Sequence, residues 1–97
     1  MTDVSRSAAE TFAIQMKALP HVQLVGMNTL GIQSGMLNKA IGPFQLTLSN
    51  QRYVTPEGQV YEVTGVPPDI PLAIFSDEEK VFQAHKEAIR SVMKMIP

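Results

Sequence analysis

Apolar residues at Ala9, Phe12, Ala13, Met16 and Leu19 recur at intervals of three and four, the spacing of one helix face. Ser7 opens this run and Glu10 follows three residues later, the sequence form of a capping box. Pro20 closes it, because proline has no N–H to donate and clashes with the preceding turn. The pattern then changes to alternation over His21-Val22-Gln23-Leu24-Val25, a short strand expected to stop at Gly26. Helix, tight turn and strand form half of an α/β unit. The other half would be a strand entering before Ser7.

The middle of the chain reads as β-rich, punctuated by Gly31, Gly35 and Gly42-Pro43. Phe44 to Leu48 alternates as a strand with one solvated face. Gln51 to Val54 and Val60 to Val63 flank Thr55-Pro56-Glu57-Gly58, so the pattern predicts a hairpin there. Three prolines make Gly65 to Pro71 an extended connector. A last helix is expected to open at Ser76, with Glu79 completing its capping box. It would run through Val81, Phe82, His85, Ala88, Ile89, Val92 and Met93, with His85 on a partly packed face and Lys86, Arg90 and Lys94 suited to its C-terminal half. A strongly apolar helix starts almost at residue 1, and one helix–strand unit precedes the hairpins. Such a layout is expected of a truncated domain, a single partial unit over residues 1–97.

Composition narrows the choice of chemistry. Ninety-seven residues with 44 % hydrophobic content make one small domain at most. Eight Lys and Arg against nine Asp and Glu give a formal net charge of −1, so no basic field gathers phosphates and no nucleic acid is expected as partner. The chain has no cysteine, hence no disulfide framework or thiolate metal site. His21 and His85 stand far apart without ligand-like spacing, and neither a metal nor a cofactor is expected. The apolar runs are too short to span a bilayer.

Ser7 can be an ordinary helix cap, contributing about 1 kcal/mol. The same position also suits a nucleophile. A serine at a helix N-terminus is exposed, the Ala8 N–H points where an oxyanion would develop, and the helix dipole favours negative charge there.

Five motifs in order carry a resemblance. Ser5-Arg6-Ser7-Ala8-Ala9-Glu10 resembles the nucleophile motif of the C-terminal-processing (tail-specific) serine peptidases. Val25-Gly26-Met27-Asn28-Thr29-Leu30-Gly31 resembles their strand end and Gly-x-x-Thr-x-Gly turn. Leu46 to Tyr53 is similar to their leucine-rich strand leading into Ser-Asn-x-x-Tyr. Pro56 to Glu62 is similar to an Asp/Glu-Gly-x-x-Tyr-Glu hairpin, and Gly65 to Ile70 to a Gly-x-x-Pro-Asp-hydrophobic signature. The resemblance implies a ClpP/crotonase-like α/β fold, of which this chain would be the C-terminal catalytic portion. It also implies cleavage of peptide or unfolded-protein substrates near their C-termini, in a periplasmic or other extracytoplasmic setting.

One branch of these peptidases activates its serine with a lysine directly after the second glycine of the turn; here Gly31 is followed by Ile32, which cannot accept a proton. The next lysine, Lys39, reads as a solvated strand residue. The tricorn-like branch uses a histidine from an upstream segment, supported by a glutamate that corresponds to Glu62. The resemblance therefore implies Ser7 as nucleophile, the Ala8 N–H as oxyanion donor, and Glu62 supporting a histidine that these residues do not supply. Asp69 is expected to brace the proline-rich turn. Arg6, Met27 and Ile32 depart from the family pattern. They leave room for a non-catalytic binding module, as in the retinoid-binding protein of the interphotoreceptor matrix, which resembles the same core. Self-association through apolar surface left by a missing half is the further expectation.

Overall fold

The computed structural model describes residues 1–74 and 79–97, as two helices and four strands. They follow the order α1 (Ala8–Lys17), β1 (Val25–Gly26), β2 (Met36–Ile41), β3 (Phe44–Ser49), β4 (Ile70–Pro71) and α2 (Val81–Met95). The architecture is mixed helix and strand, as the α/β pattern implied. β1 and β4 pair in parallel, Val25 opposite Ile70 and Gly26 opposite Pro71. On the far edge of β1, the Met1 ammonium donates to Val25 O at 2.8 Å and Met27 N donates to Met1 O at 3.0 Å. The segment before Ser7 thus enters alongside β1, and the chain turns from it into α1.

α1 begins where the capping residues placed it and ends before Pro20, but its buried face is not the expected stripe. Phe12 is 61 % exposed and Ala9 and Leu19 are exposed, while Ala13 and Glu10 are buried. The cause is Glu10: its carboxylate is wanted by donors beneath the helix, and this turns α1 so that Phe12 faces outward. The core is correspondingly small. Ala13, Leu24 and Val66 form it, with Met1, Ile14, Met16, Val22 and Tyr61 packed partly against it. A shortest principal extent of 16 Å leaves little depth for more.

The strand expected at 21–25 is displaced toward Gly26, because its partner is the stretch after Asp69. Leu24 O accepts the N–H groups of Asp69 and Ile70 at 2.8 and 3.0 Å. Asp69 returns the contact, its Oδ2 accepting Leu24 N at 2.8 Å and its Oδ1 accepting Lys17 Nζ at 2.7 Å. These bonds tie α1, β1 and the proline-rich connector together, so Asp69 braces the turn. The Leu24 N–H, and after it the Lys17 ammonium, hold the Asp69 carboxyl below its ordinary value. A depressed carboxylate pKa stabilises the fold above the unfolded value, near pH 4, and that contribution disappears as pH falls through the folded value. Urea midpoints should therefore decline below about pH 4, and Asp69→Asn should flatten that decline. An identical acid profile in the variant would remove Asp69 from the account.

The hairpin actually formed is β2 with β3, antiparallel across a Gly42-Pro43 turn in which Gly42 has φ 59°. β3 follows the expected alternation. The hairpin expected over residues 51–63 is reduced to its turn, where Gly58 N donates to Thr55 O and Thr55 N to Gln59 O, both at 2.9 Å. Neither 51–54 nor 60–63 is a strand. Those segments instead line a groove and supply Glu62. On the β2–β3 arm, Leu37, Ile41, Phe44, Leu46 and Leu48 share one face with Lys39, and the other carries Asn38, Gln45, Thr47 and Ser49. Every residue of both strands is exposed.

α2 starts at Val81 behind Lys80; Ser76, the expected cap, lies outside the described residues. None of the described residues of α2 is buried. Val81, Ala84, Ala88 and Val92 are half-buried, whereas Phe82, Ile89 and Met93 of the expected apolar run, and His85, expected to be partly packed, are exposed. No helix among the described residues is long and apolar enough to cross a membrane.

Candidate active site

Ser7 occupies the turn into α1 with φ 54° and ψ −121°. A non-glycine residue held there costs on the order of 1–3 kcal/mol and persists only where its surroundings over-determine it. Here they do, from both sides. Its N–H donates to Ile32 O at 2.7 Å and to Glu10 Oε2 at 3.1 Å. Its carbonyl accepts Glu10 N at 3.0 Å and Thr11 N at 3.1 Å. The result is a sharp, strained elbow at a helix head that leaves the serine side chain exposed, the geometry used to present a nucleophile. As the first helical residue, Ala8 has no intrahelical acceptor for its N–H, and no other bond to that group is found among the described residues.

Two carboxylates organise the chain beside the elbow. Glu10 is fully buried, and besides the Ser7 N–H its oxygens accept Thr29 Oγ1 at 2.5 Å, Gly31 N at 2.6 Å and Ile32 N at 3.0 Å. Thr29 Oγ1 in turn accepts Val66 N at 2.6 Å, which extends the network into the core. Glu62 continues the pattern: its Oε2 accepts Gln33 N at 2.9 Å and Ser34 N at 3.0 Å. Four successive amides, 31 to 34, therefore point at two carboxylates. Gly31 makes this possible at φ 84°, with Val63 and Gly65 backbone packed against its α-carbon. Neighbouring Val63 is itself at φ 71°, an uncommon conformation for a β-branched residue, with its N–H on Gly31 O at 2.8 Å.

The expected site residues are only partly brought together. Ser7 and Ala8 line one open depression of about 340 Å³, together with Gln33 and Tyr53. Glu62 does not line it, and reaches it through the Gln33 backbone. Neither histidine lines it. His21 is exposed after α1, and His85, exposed on α2, has Nδ1 2.6 Å from Val81 O. Lys39 is on the exposed β2 strand and Arg6 is exposed beside Ser7. Among the described residues no group of three or more His, Cys, Asp or Glu side chains could hold a metal ion.

Two features of this site go beyond the sequence reading, the wider role of Glu10 and the presence of Gln33. The Ser7–Glu10 spacing signals a cap and does not tell that the carboxylate also serves Thr29, Gly31 and Ile32. Gln33 carried no signal, standing as an ordinary polar residue between two glycines. In the structure it is only 5 % exposed, and both its Oε1 and Nε2 are buried without a partner among the described residues.

A strained serine at a helix head, next to an unpaired amide and an open depression, has the form of a serine hydrolase's nucleophile turn. The model of Peptidase family S41 matches residues 1–72, and the chain belongs to this family, the C-terminal-processing peptidases. The match takes in Ser7, Glu10, the Thr29–Gly31 turn and Glu62, and stops just after β4. No curated protein and no solved structure matches the chain.

Proposed function

We propose that the chain is the C-terminal part of the catalytic domain of a tail-specific, tricorn-like serine endopeptidase with a ClpP/crotonase-like fold, acting on peptide bonds near protein C-termini. Ser7 Oγ attacks the scissile carbonyl carbon while a histidine base takes its proton. The Ala8 N–H donates to the oxyanion of the tetrahedral intermediate. Return of the proton to the amine expels the leaving peptide and leaves an acyl-serine, which water hydrolyses by the same route. The observation that carries this reading is the elbow itself: Ser7 at φ 54° beside an unpaired Ala8 N–H, both on one depression.

In this scheme Glu62 supports the base. Its Oε2 is engaged by Gln33 and Ser34, while Oε1 has no bond among the described residues and is left to accept a ring N–H. The histidine would come from outside these 97 residues, since neither His21 nor His85 lines the depression. Loss of the base leaves mainly binding and oxyanion stabilisation, which are far less effective alone. The 97-residue chain is therefore expected to hydrolyse peptides at close to background rate, and a serine-directed phosphonate should label it slowly, with the adduct on Ser7. Rapid labelling would refute the missing base. Adducts distributed over Ser5, Ser34 and Ser91 as readily as Ser7 would refute the nucleophile.

Self-association belongs to the same proposal. The apolar face of the β2–β3 arm and the outward Phe82, Ile89 and Met93 of α2 are exposed hydrocarbon of the kind that pairs chains. Sedimentation at two concentrations should give a mass that rises with concentration; a monomer throughout would exclude it.

A further inference from the structure

The elbow and its two carboxylates leave one buried polar group unused, the side-chain amide of Gln33. It is 5 % exposed, and neither Oε1 nor Nε2 finds a partner among the described residues, although the large majority of buried side-chain polar atoms in folded proteins have one. An unpaired buried amide is destabilising in the free protein, and an apolar side chain of the same shape would avoid that.

Its placement is specific. Ser7 N donates to the carbonyl of Ile32, the residue immediately before Gln33, while Glu62 Oε2 fixes the Gln33 N–H. Gln33 forms part of the wall of the depression at Ser7 and also of a second, adjoining one of about 180 Å³. Thr11, Gln15 and Tyr53 are the other residues common to both, so a groove runs from Ser7 past Gln33 toward Val54 and Tyr61. Among the described residues, no charged one lines either part. Gln15 and Tyr53, which line both parts with Gln33, are exposed, and the Tyr53 hydroxyl donates to Gln51 Oε1 at 3.1 Å.

We infer that the Gln33 carboxamide binds one extended residue of a peptide ligand in this groove, Nε2–H donating to that residue's carbonyl oxygen and Oε1 accepting the same residue's N–H. The chemistry selects the ligand class. An orphan donor and an orphan acceptor on one planar group are both satisfied by a partner presenting an acceptor and a donor side by side, as the N–H and C=O of one extended peptide residue do. An anion would leave Oε1 unpaired and a cation would leave Nε2 unpaired. A retinoid or fatty-acyl chain would leave both unpaired, in an uncharged groove that offers such ligands no other recompense. The inference rests on the peptidase reading for the ligand being a substrate, but it concerns binding and is tested without cleavage.

The test uses the 97-residue chain and a capped tetrapeptide of alanine and valine as probe. In a ¹⁵N–¹H titration, the Gln33 side-chain NH₂ pair should shift with the peptide and saturate. Gln33→Met, which keeps the volume and removes both polar atoms, should weaken peptide binding at least tenfold. It should also raise Tm, by roughly 4–8 °C for a domain of this size. A purely structural glutamine would give the opposite sign of Tm change. Gln83→Met on α2 serves as the control and should bind as the wild type does. The inference fails if wild-type Gln33 resonances do not respond at millimolar peptide, if Gln33→Met binds as tightly as wild type, or if that variant loses stability. Ser7 labelling separates the two ideas. Selective Ser7 labelling with unimpaired binding in Gln33→Met would sink the amide's role alone. Gln33-dependent binding with no selectivity for Ser7 would sink the peptidase reading alone.

Discussion

Glu10→Ala is expected to cost about 3–5 kcal/mol, most of the stability of a chain this small. The Ser7 N–H would keep its bond to Ile32 O, but the Gly31 N–H, the Ile32 N–H and the Thr29 hydroxyl would each lose the acceptor that the structure gives them. Those donors are enclosed, so water replaces the carboxylate poorly, and the missing side chain adds a cavity next to Ala13. Glu10→Gln separates the two effects. It keeps the volume but turns one acceptor oxygen into an NH₂ that faces N–H groups, and about half the loss should remain. Urea unfolding followed by circular dichroism measures both. A midpoint unchanged in Glu10→Ala would show that the carboxylate anchors nothing, and would free the Ser7 elbow from its explanation.

The second large effect is expected at Gly31. Its φ of 84° disfavours any side chain, and a Cβ built there lies 2.7 Å from the carbonyl carbon and oxygen of Val63 and 2.8 Å from Gly65 N. All three are backbone atoms and cannot swing away. Overpacking and the positive φ together should make Gly31→Ala about 3 kcal/mol less stable, with Tm lower by more than 10 °C on the order of the usual conversion. Because Gly31 N is bonded to Glu10 and Gly31 O to Val63 N, the shift would propagate to Ser7. Phosphonate labelling of the variant should lose its preference for Ser7. A variant of wild-type Tm would mean that the 31–34 run can move without disturbing its neighbours.

Local rules made some of this structure legible beforehand. The start of α1 follows from Ser7 and Glu10 and its end from Pro20, since caps and breakers act within one helical turn. β3 follows from alternation, and the Asp69 brace from its place in a proline-rich turn. What could not be read depends on partners distant in sequence. Nothing within residues 36–41 announces β2, whose pairing is set by β3 and the Gly42-Pro43 turn. Gln51–Val54 and Val60–Val63 have strand-like patterns but face a groove instead of each other. Phe12 belongs to the apolar stripe by spacing, yet Thr29, Gly31 and Ile32, some twenty residues away, draw Glu10 inward and displace it. That Ser7 and Ala8 stand at the head of α1 was legible because it is local. The unpaired state of Gln33 was not, because it depends on what fails to reach it.

The four amides from Gly31 to Ser34 have one more consequence. An extended segment normally offers alternate N–H groups to a neighbouring strand, and proteins that thread a peptide often add it to such an edge. Here every one of those donors already faces a carboxylate, so this edge cannot template the growth of a sheet, by a ligand or by another copy of the chain. Stacking of copies into fibres along this edge is therefore unfavourable.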